Sequence, residues 1–112
     1  MKIAIPLANG KLSMHFGHCE KFILMDVDEK EKKIRSTKEL AAPPHEPGLL
    51  PRFLHEAGAE VIISGGMGQR AKSLFEEKGI HVVVGAAALE PEKIAAAYLD
   101  GSLETGENCC DH

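Results

Sequence analysis

Val61-Ile62-Ile63-Ser64-Gly65-Gly66-Met67-Gly68-Gln69-Arg70-Ala71 is the stretch whose reading decides the fold. Its β-branched opening is the centre of a buried strand expected from Glu60 to Ser64. Gly65-Gly66-Met67-Gly68 then reads as a tight loop, and beyond it Ala71, Leu74 and Phe75 recur at helical spacing until Gly79. A further apolar strand, His81 to Val84, follows at once. Strand, glycine turn, helix and strand form a crossover unit, in which the two strands run parallel and the connection is right-handed. The second half of the chain is therefore α/β.

Working outward, Lys2 to Pro6 predicts a short apolar strand and Asn9 to Gly17 a loop, by its Asn-Gly turn signal. Lys21 to Asp28 predicts a second strand, apolar on both faces from Phe22 to Met25 and so interior to a sheet. Asp28 to Lys32 is a charged turn, and Lys33 to Glu39 a polar strand at the edge. Ala41 to Gly48 holds three prolines and is expected to be irregular. Leu49, Leu50, Phe53, Leu54 and Ala57 repeat with a helical period up to Gly58. A last helix starts at Pro91, packs Ile94, Ala97 and Tyr98, and stops at Gly101. The order β-β-β-α-β-α-β-α predicts an antiparallel meander continued by two parallel crossovers: a five-stranded mixed sheet with helices on both faces. In that arrangement the loops after the first, third and fourth strands leave the same edge of the sheet, where open α/β sheets bind ligands.

With 112 residues the chain is long enough for one domain, expected over residues 1–101, followed by a flexible Cys/His tail over 102–112. The formal charge is −4 and the signs are interleaved; even the basic run Lys30 to Lys38 contains Glu31, which argues against a nucleic-acid interface. No apolar stretch approaches a membrane span, and the run Ile3 to Ala8 is broken by Pro6 and too short for a signal-peptide core. A cytoplasmic protein is the expectation, with its three cysteines free thiols or ligands rather than disulfides.

The residues that could carry chemistry are concentrated. His15-Phe16-Gly17-His18-Cys19 puts two imidazoles and a thiol within five residues. His45 stands between Pro44 and Glu46, and the tail adds Cys109-Cys110-Asp111-His112. Imidazole and thiolate together suit zinc, copper, iron and iron–sulfur clusters rather than magnesium or calcium. The spacing is not the paired Cys-x₂-Cys pattern of structural zinc, and adjacent cysteines suit a larger cluster better than one tetrahedral ion. His55 and His81 fall on a helix and a strand and read as structural.

The glycine loop matches G-x-G-x-x-A between strand and helix, but the acidic residue that a dinucleotide site places at the end of the next strand is missing from Val83-Val84-Gly85. What the loop does offer is backbone amides at a helix start, with Arg70 in the first turn and a Met67 thioether. Ser64-Gly65-Gly66 lacks the G-x-S-x-G nucleophile elbow, and the first strand lacks the paired carboxylates of two-metal phosphoryl chemistry. No hydrolytic site is indicated.

Ser13-Met14-His15-Phe16-Gly17, His45 followed by Pro47-Gly48, and Ile63 to Ala71 together resemble the dinitrogenase iron–molybdenum cofactor biosynthesis family, over nearly the whole chain up to Gly101. The resemblance implies a single-domain, three-layer, ribonuclease-H-like α/β fold without catalytic activity. It also implies a carrier or scaffold that binds, stores or delivers an iron–sulfur or molybdenum/copper-sulfide cluster. A cluster-assembly ATPase or a client metalloenzyme would be its partner, with neither nucleic acid nor membrane. The family's His-Phe-Gly motif falls on His15, Phe16 and Gly17. Many members carry Arg next, whereas this chain has His18 and Cys19, which favours direct ligation. The expected ligands are then His15, His18, Cys19 and His45; the tail is not a feature of the family's core, and Cys109, Cys110 and His112 are expected to close the site by their donor chemistry alone. Phe16, Gly17, Gly65, Gly66, Met67, Gly68 and Arg70 form its cofactor-facing wall. The alternatives are an interaction module of cluster assembly that holds no cluster, or a mononuclear zinc or copper binder.

Overall fold

A computed structural model of the chain describes residues 1–8, 11–12, 21–41, 49–86 and 90–103. The strands are β1 (Lys2–Ala8), β2 (Lys11–Leu12), β3 (Lys21–Asp28), β4 (Lys33–Ala41), β5 (Val61–Ile63) and β6 (His81–Val83). The helices are α1 (Leu49–Glu56), α2 (Gln69–Glu77) and α3 (Pro91–Asp100). Five strands form a mixed sheet in the order β4-β3-β1-β5-β6, and β2 is a short addition beside β1. Strands β1, β3 and β4 make the antiparallel meander, while β1-β5 and β5-β6 are parallel. The α/β architecture expected from the sequence is the one observed.

The strands divide the core by their alternation. Ile3, Ile5, Ile23, Met25, Val27, Val61 and Ile63 face one side, where Ile94 and Ala95 of α3 cover them. Ala4, Phe22, Leu24 and Ile62 face the other, against Leu50 and Leu54 of α1 and Phe75 of α2. Helices thus lie on both faces. Gly58, Gly79 and Gly101 follow the three helices in left-handed backbone, as their place in the sequence led us to expect.

Several boundaries differ from the sequence reading; β5 (Val61–Ile63) and β6 (His81–Val83) are shorter than the expected Glu60 to Ser64 and His81 to Val84. The first strand runs two residues further, through Pro6 to Ala8. Pro6 is tolerated because β5 pairs only Ile3 and Ala4 and β2 pairs only Leu7 and Ala8, so on that flank Pro6 has no registered partner. The expected loop from Asn9 contains a two-residue strand, with Lys11 paired to Ala8 and Leu12 to Leu7. Strand β4 continues through Leu40 and Ala41, which pair with Phe22 and Lys21; Ala41 therefore belongs to the sheet rather than to the proline segment.

The β3–β4 hairpin is closed by Asp28. Its Oδ1 accepts the amide protons of Lys30 (2.9 Å) and Glu31 (3.1 Å), and Arg35 donates to Oδ2 at 2.6 Å. The Glu31 amide, then the Arg35 guanidinium and the Lys30 amide, hold this carboxyl below the ordinary aspartate value. The register shifts between Asp26 and Val27, so that Arg35 is an extra residue in β4, a bulge at the sheet edge.

Candidate functional site

The carboxyl ends of β1, β5 and β6 and the end of β4 define one edge of the sheet. On one flank of β1, Leu7 is registered with Leu12; on the other it is registered with Lys21. Lys21 in turn pairs with Ala41, the last residue of β4. The connection carrying His15, Phe16, Gly17, His18 and Cys19 therefore starts and ends at this edge, and the one carrying His45 starts there. These residues, together with Cys109, Cys110 and His112, lie outside the described residues. Among the described residues, no three His, Cys, Asp or Glu side chains come together as a metal site.

The glycine loop is described, and it is built as an extension of the sheet. The Ser64 amide donates to the Val83 carbonyl at 2.9 Å, the Gly85 amide to Gly65 at 3.1 Å, and the Ala86 amide to Ser64 at 3.3 Å. The β5–β6 ladder thus continues past both strands. Ser64, Gly65, Gly66 and Met67 are buried, whereas Gly68, Gln69 and Arg70 are exposed. Met67 is wholly inside the core with Phe22, Phe75 and Ile62, so its side chain anchors the loop from beneath. That placement was not legible from the sequence, where a thioether suits a core and a soft ligand equally.

Gly68 precedes α2 with φ −65° and ψ 152°, without a side-chain cap. Among the described residues, a Cβ there would meet nothing within 4 Å, so neither backbone strain nor crowding by those residues requires this glycine. The first-turn amides of α2 and the exposed Arg70 give the loop a positive character suited to anions. Arg70 and Lys11 have no ion-pair partner among the described residues. At the opposite edge, Asp26, Asp28, Glu29 and Glu60 line an open groove of about 500 Å³ together with Lys30, Arg35 and the Met1 ammonium, which lies 3.9 Å from Asp26.

The family pattern described as "Dinitrogenase iron-molybdenum cofactor" matches residues 1–101. The chain belongs to this family. An uncharacterized protein of Methanocaldococcus jannaschii is 33% identical over 110 residues, covering 96% of this chain and 92% of that one. The crystal structure of PH0822 superposes with a TM-score of 0.85 at 29% identity, covering 94% of each chain. The apo form of the orange protein from Desulfovibrio gigas shares the fold, with a TM-score of 0.72 at 21% identity over 96% of this chain and 93% of that one. Among the described residues, no helix of this family member is long and apolar enough to cross a membrane.

Proposed function

We propose that this member of the dinitrogenase iron–molybdenum cofactor family is a non-catalytic carrier or scaffold for a metal–sulfur cluster. The cargo is an iron–sulfur or molybdenum/copper-sulfide cluster, held at the carboxyl edge of a ribonuclease-H-like sheet. The observation that carries this reading is the convergence at that edge: the ends of the His15–Cys19 connection, the start of the His45 connection and the glycine wall all meet there. Metal–sulfide clusters are bound by thiolates and imidazoles and are usually anionic; the connections that leave this edge carry these donor types in their sequence, and a helix start and Arg70 lie beside them.

In this reading His15, His18, Cys19 and His45 supply the ligands. Phe16, Gly17 and the backbone from Gly65 to Gly68 shape the pocket, Met67 holds the loop from inside the core, and Arg70 offsets the charge of the cargo. Cys109, Cys110 and His112 close the site from the tail, residues 102–112, and residues 1–101 form the carrier domain. Delivery to a client metalloenzyme, or exchange with a cluster-assembly ATPase, takes place in the cytoplasm.

The test is the content of metal and acid-labile sulfide, with a visible spectrum, in protein purified without oxygen. Stoichiometric sulfide together with iron, molybdenum or copper supports the carrier. Metal without sulfide replaces it with a mononuclear binder, and colourless protein that takes up no cluster on reconstitution replaces it with an interaction module. The His15→Ala, Cys19→Ser double variant is expected to lose most of its metal; undiminished metal content would remove the ligand assignment.

A further inference from the structure

The outermost strands of the sheet are β4 and β6. Outer strands are commonly protected by lysines, prolines or bulges, and β4 carries both lysines and a bulge. His81-Val82-Val83-Val84, which is β6 and the residue after it, has no lysine and no proline. Its register against β5 is unbroken. All three valines pack against the core, yet each stays partly exposed.

The direction of the backbone groups on this edge follows from the bonds on its inner side. The His81 amide donates to the Glu60 carbonyl at 2.9 Å, and the Val83 carbonyl accepts from the Ser64 amide at 2.9 Å. Alternation along the strand then turns the amide and carbonyl of Val82 outward. A trans peptide points its carbonyl and its amide in opposite directions, and the described chain has no cis peptide. The Val83 carbonyl and the Gly85 amide both point inward, so the amide and carbonyl of Val84 also face out. Among the described residues, none of these outward groups has a backbone partner.

Two such edges complement each other. With a second copy antiparallel and the two-fold axis at Val83, Val82 of each copy stands opposite Val84 of the other. Each of these pairs exchanges two hydrogen bonds, which satisfies every outward group. Val83 meets its own counterpart in a pair without hydrogen bonds, at about 4.5 Å between Cα atoms.

Helix α2 adds complementary charge. Ala71 and Phe75 pack toward the sheet. Lys72 and Glu76 each follow one of them and so share the flank about 100° further round the axis. In a right-handed crossover, the hand such units take, that flank lies beyond β6 and away from α1. Neither residue has an ion-pair partner among the described residues. Lysine four positions before glutamate is also the poorer order for a pair within one helix. The axis that joins the β6 edges sets α2 antiparallel to its copy and brings each Lys72 toward the other copy's Glu76.

We propose that the β6 edge is a docking surface for a second copy of this chain, joined by β6 pairing and by two Lys72–Glu76 ion pairs. The two sheets become one, with the β4 edges outermost and the two carboxyl edges at opposite ends.

The experiment is sedimentation velocity over a concentration series, on the full chain held with reductant and chelator so that cysteines cannot join the copies. The wild type is expected to pass from monomer to dimer, and the Val82 and Val84 amides to exchange more slowly as it does. Lys72→Glu and Glu76→Lys should each weaken the dimer about tenfold, because like charges then meet across the axis. An equimolar mixture of the two variants should recover wild-type association, since opposite charges face each other again in the mixed dimer. Val83→Lys should give a monomer with the circular dichroism of the wild type; should it not fold, the two charge variants carry the test. A wild type that stays monomeric up to its solubility limit overturns the proposal. So does a dimer that both charge variants leave intact, a mixture that does not associate, or a dimer whose Val82 and Val84 amides exchange as in the monomer.

Discussion

Leu12 and Lys21 flank one residue, both registered with Leu7 from opposite sides of β1. Strands two apart in a sheet are about 10 Å apart, so the connection that carries the proposed first-loop ligands is tied at both ends within that distance. Leu7 is 3% exposed and packs in the core beneath. Leu7→Ala is expected to cost about 2–5 kcal/mol and to lower cluster occupancy in the fraction that remains folded. Denaturant unfolding and metal content, measured on one preparation, check both parts.

Gly68 and Gly101 make a matched pair, since among the described residues neither has an atom within 4 Å of where a Cβ would stand. Only Gly101 has left-handed backbone, at φ 80°. Gly101→Ala is expected to destabilise by about 1–2 kcal/mol, from backbone strain. Gly68→Ala is expected to leave stability unchanged or raise it by about 0.4–1 kcal/mol. Its cost should appear instead in weaker cluster binding, because the new methyl stands on the open side of the wall. Equal effects of the two variants on unfolding would contradict this assignment.

Arg70 lies in the first turn of α2 beside the glycine loop. Arg70→Glu should weaken an anionic cluster by about threefold to tenfold. The deficit should shrink as salt rises toward 1 M, where the screening length is about 3 Å. Titrations at low and high salt distinguish this from a lost packing contact, which salt would not restore.

Asp28 links stability to pH. Its folded pKa lies below the ordinary value of 3.8, chiefly through the Glu31 amide and then Arg35. A depressed carboxylate stabilises the fold above its unfolded pKa, and that contribution is lost as pH falls through the folded one. Asp28→Asn should therefore unfold at a lower temperature than wild type at neutral pH. The gap should narrow below pH 3.8 and close once the wild-type carboxyl is protonated. Thermal unfolding across the acid range reads this directly.

The tail is tested separately. Replacing Cys109 and Cys110 by serine should leave a cluster bound by the strand-end residues but hasten its loss to a competing chelator, followed by visible absorbance. Unchanged release would exclude the tail from the ligand set.

Much of the fold was legible because the strongest signals are long or punctuated. Phe22 to Met25, apolar on both faces, could only be an interior strand, and Pro91 and the three helix-ending glycines mark their boundaries without reference to the rest of the chain. Strand β2 was not legible, since two residues cannot show an alternation. The bulge at Arg35 was hidden for a different reason: it is a mismatch between two strands, and neither strand alone records it. At the site, the glycine loop was recognised from its composition. The full burial of Ser64 and its two hydrogen bonds with Gly66 were not legible, because a hydroxyl next to glycines suggests only a turn or a nucleophile.

The bulge in β4 has a further consequence. An outer strand with unpaired amides and carbonyls is a template on which another chain can add, and nine residues are long enough for it. The extra residue at Arg35 breaks the repeat of that template, while Lys33 and Lys38 place like charges along it. Copies meeting edge to edge would find neither a continuous ladder nor a neutral surface. Such an edge resists the strand addition by which sheets of separate copies join into fibrils.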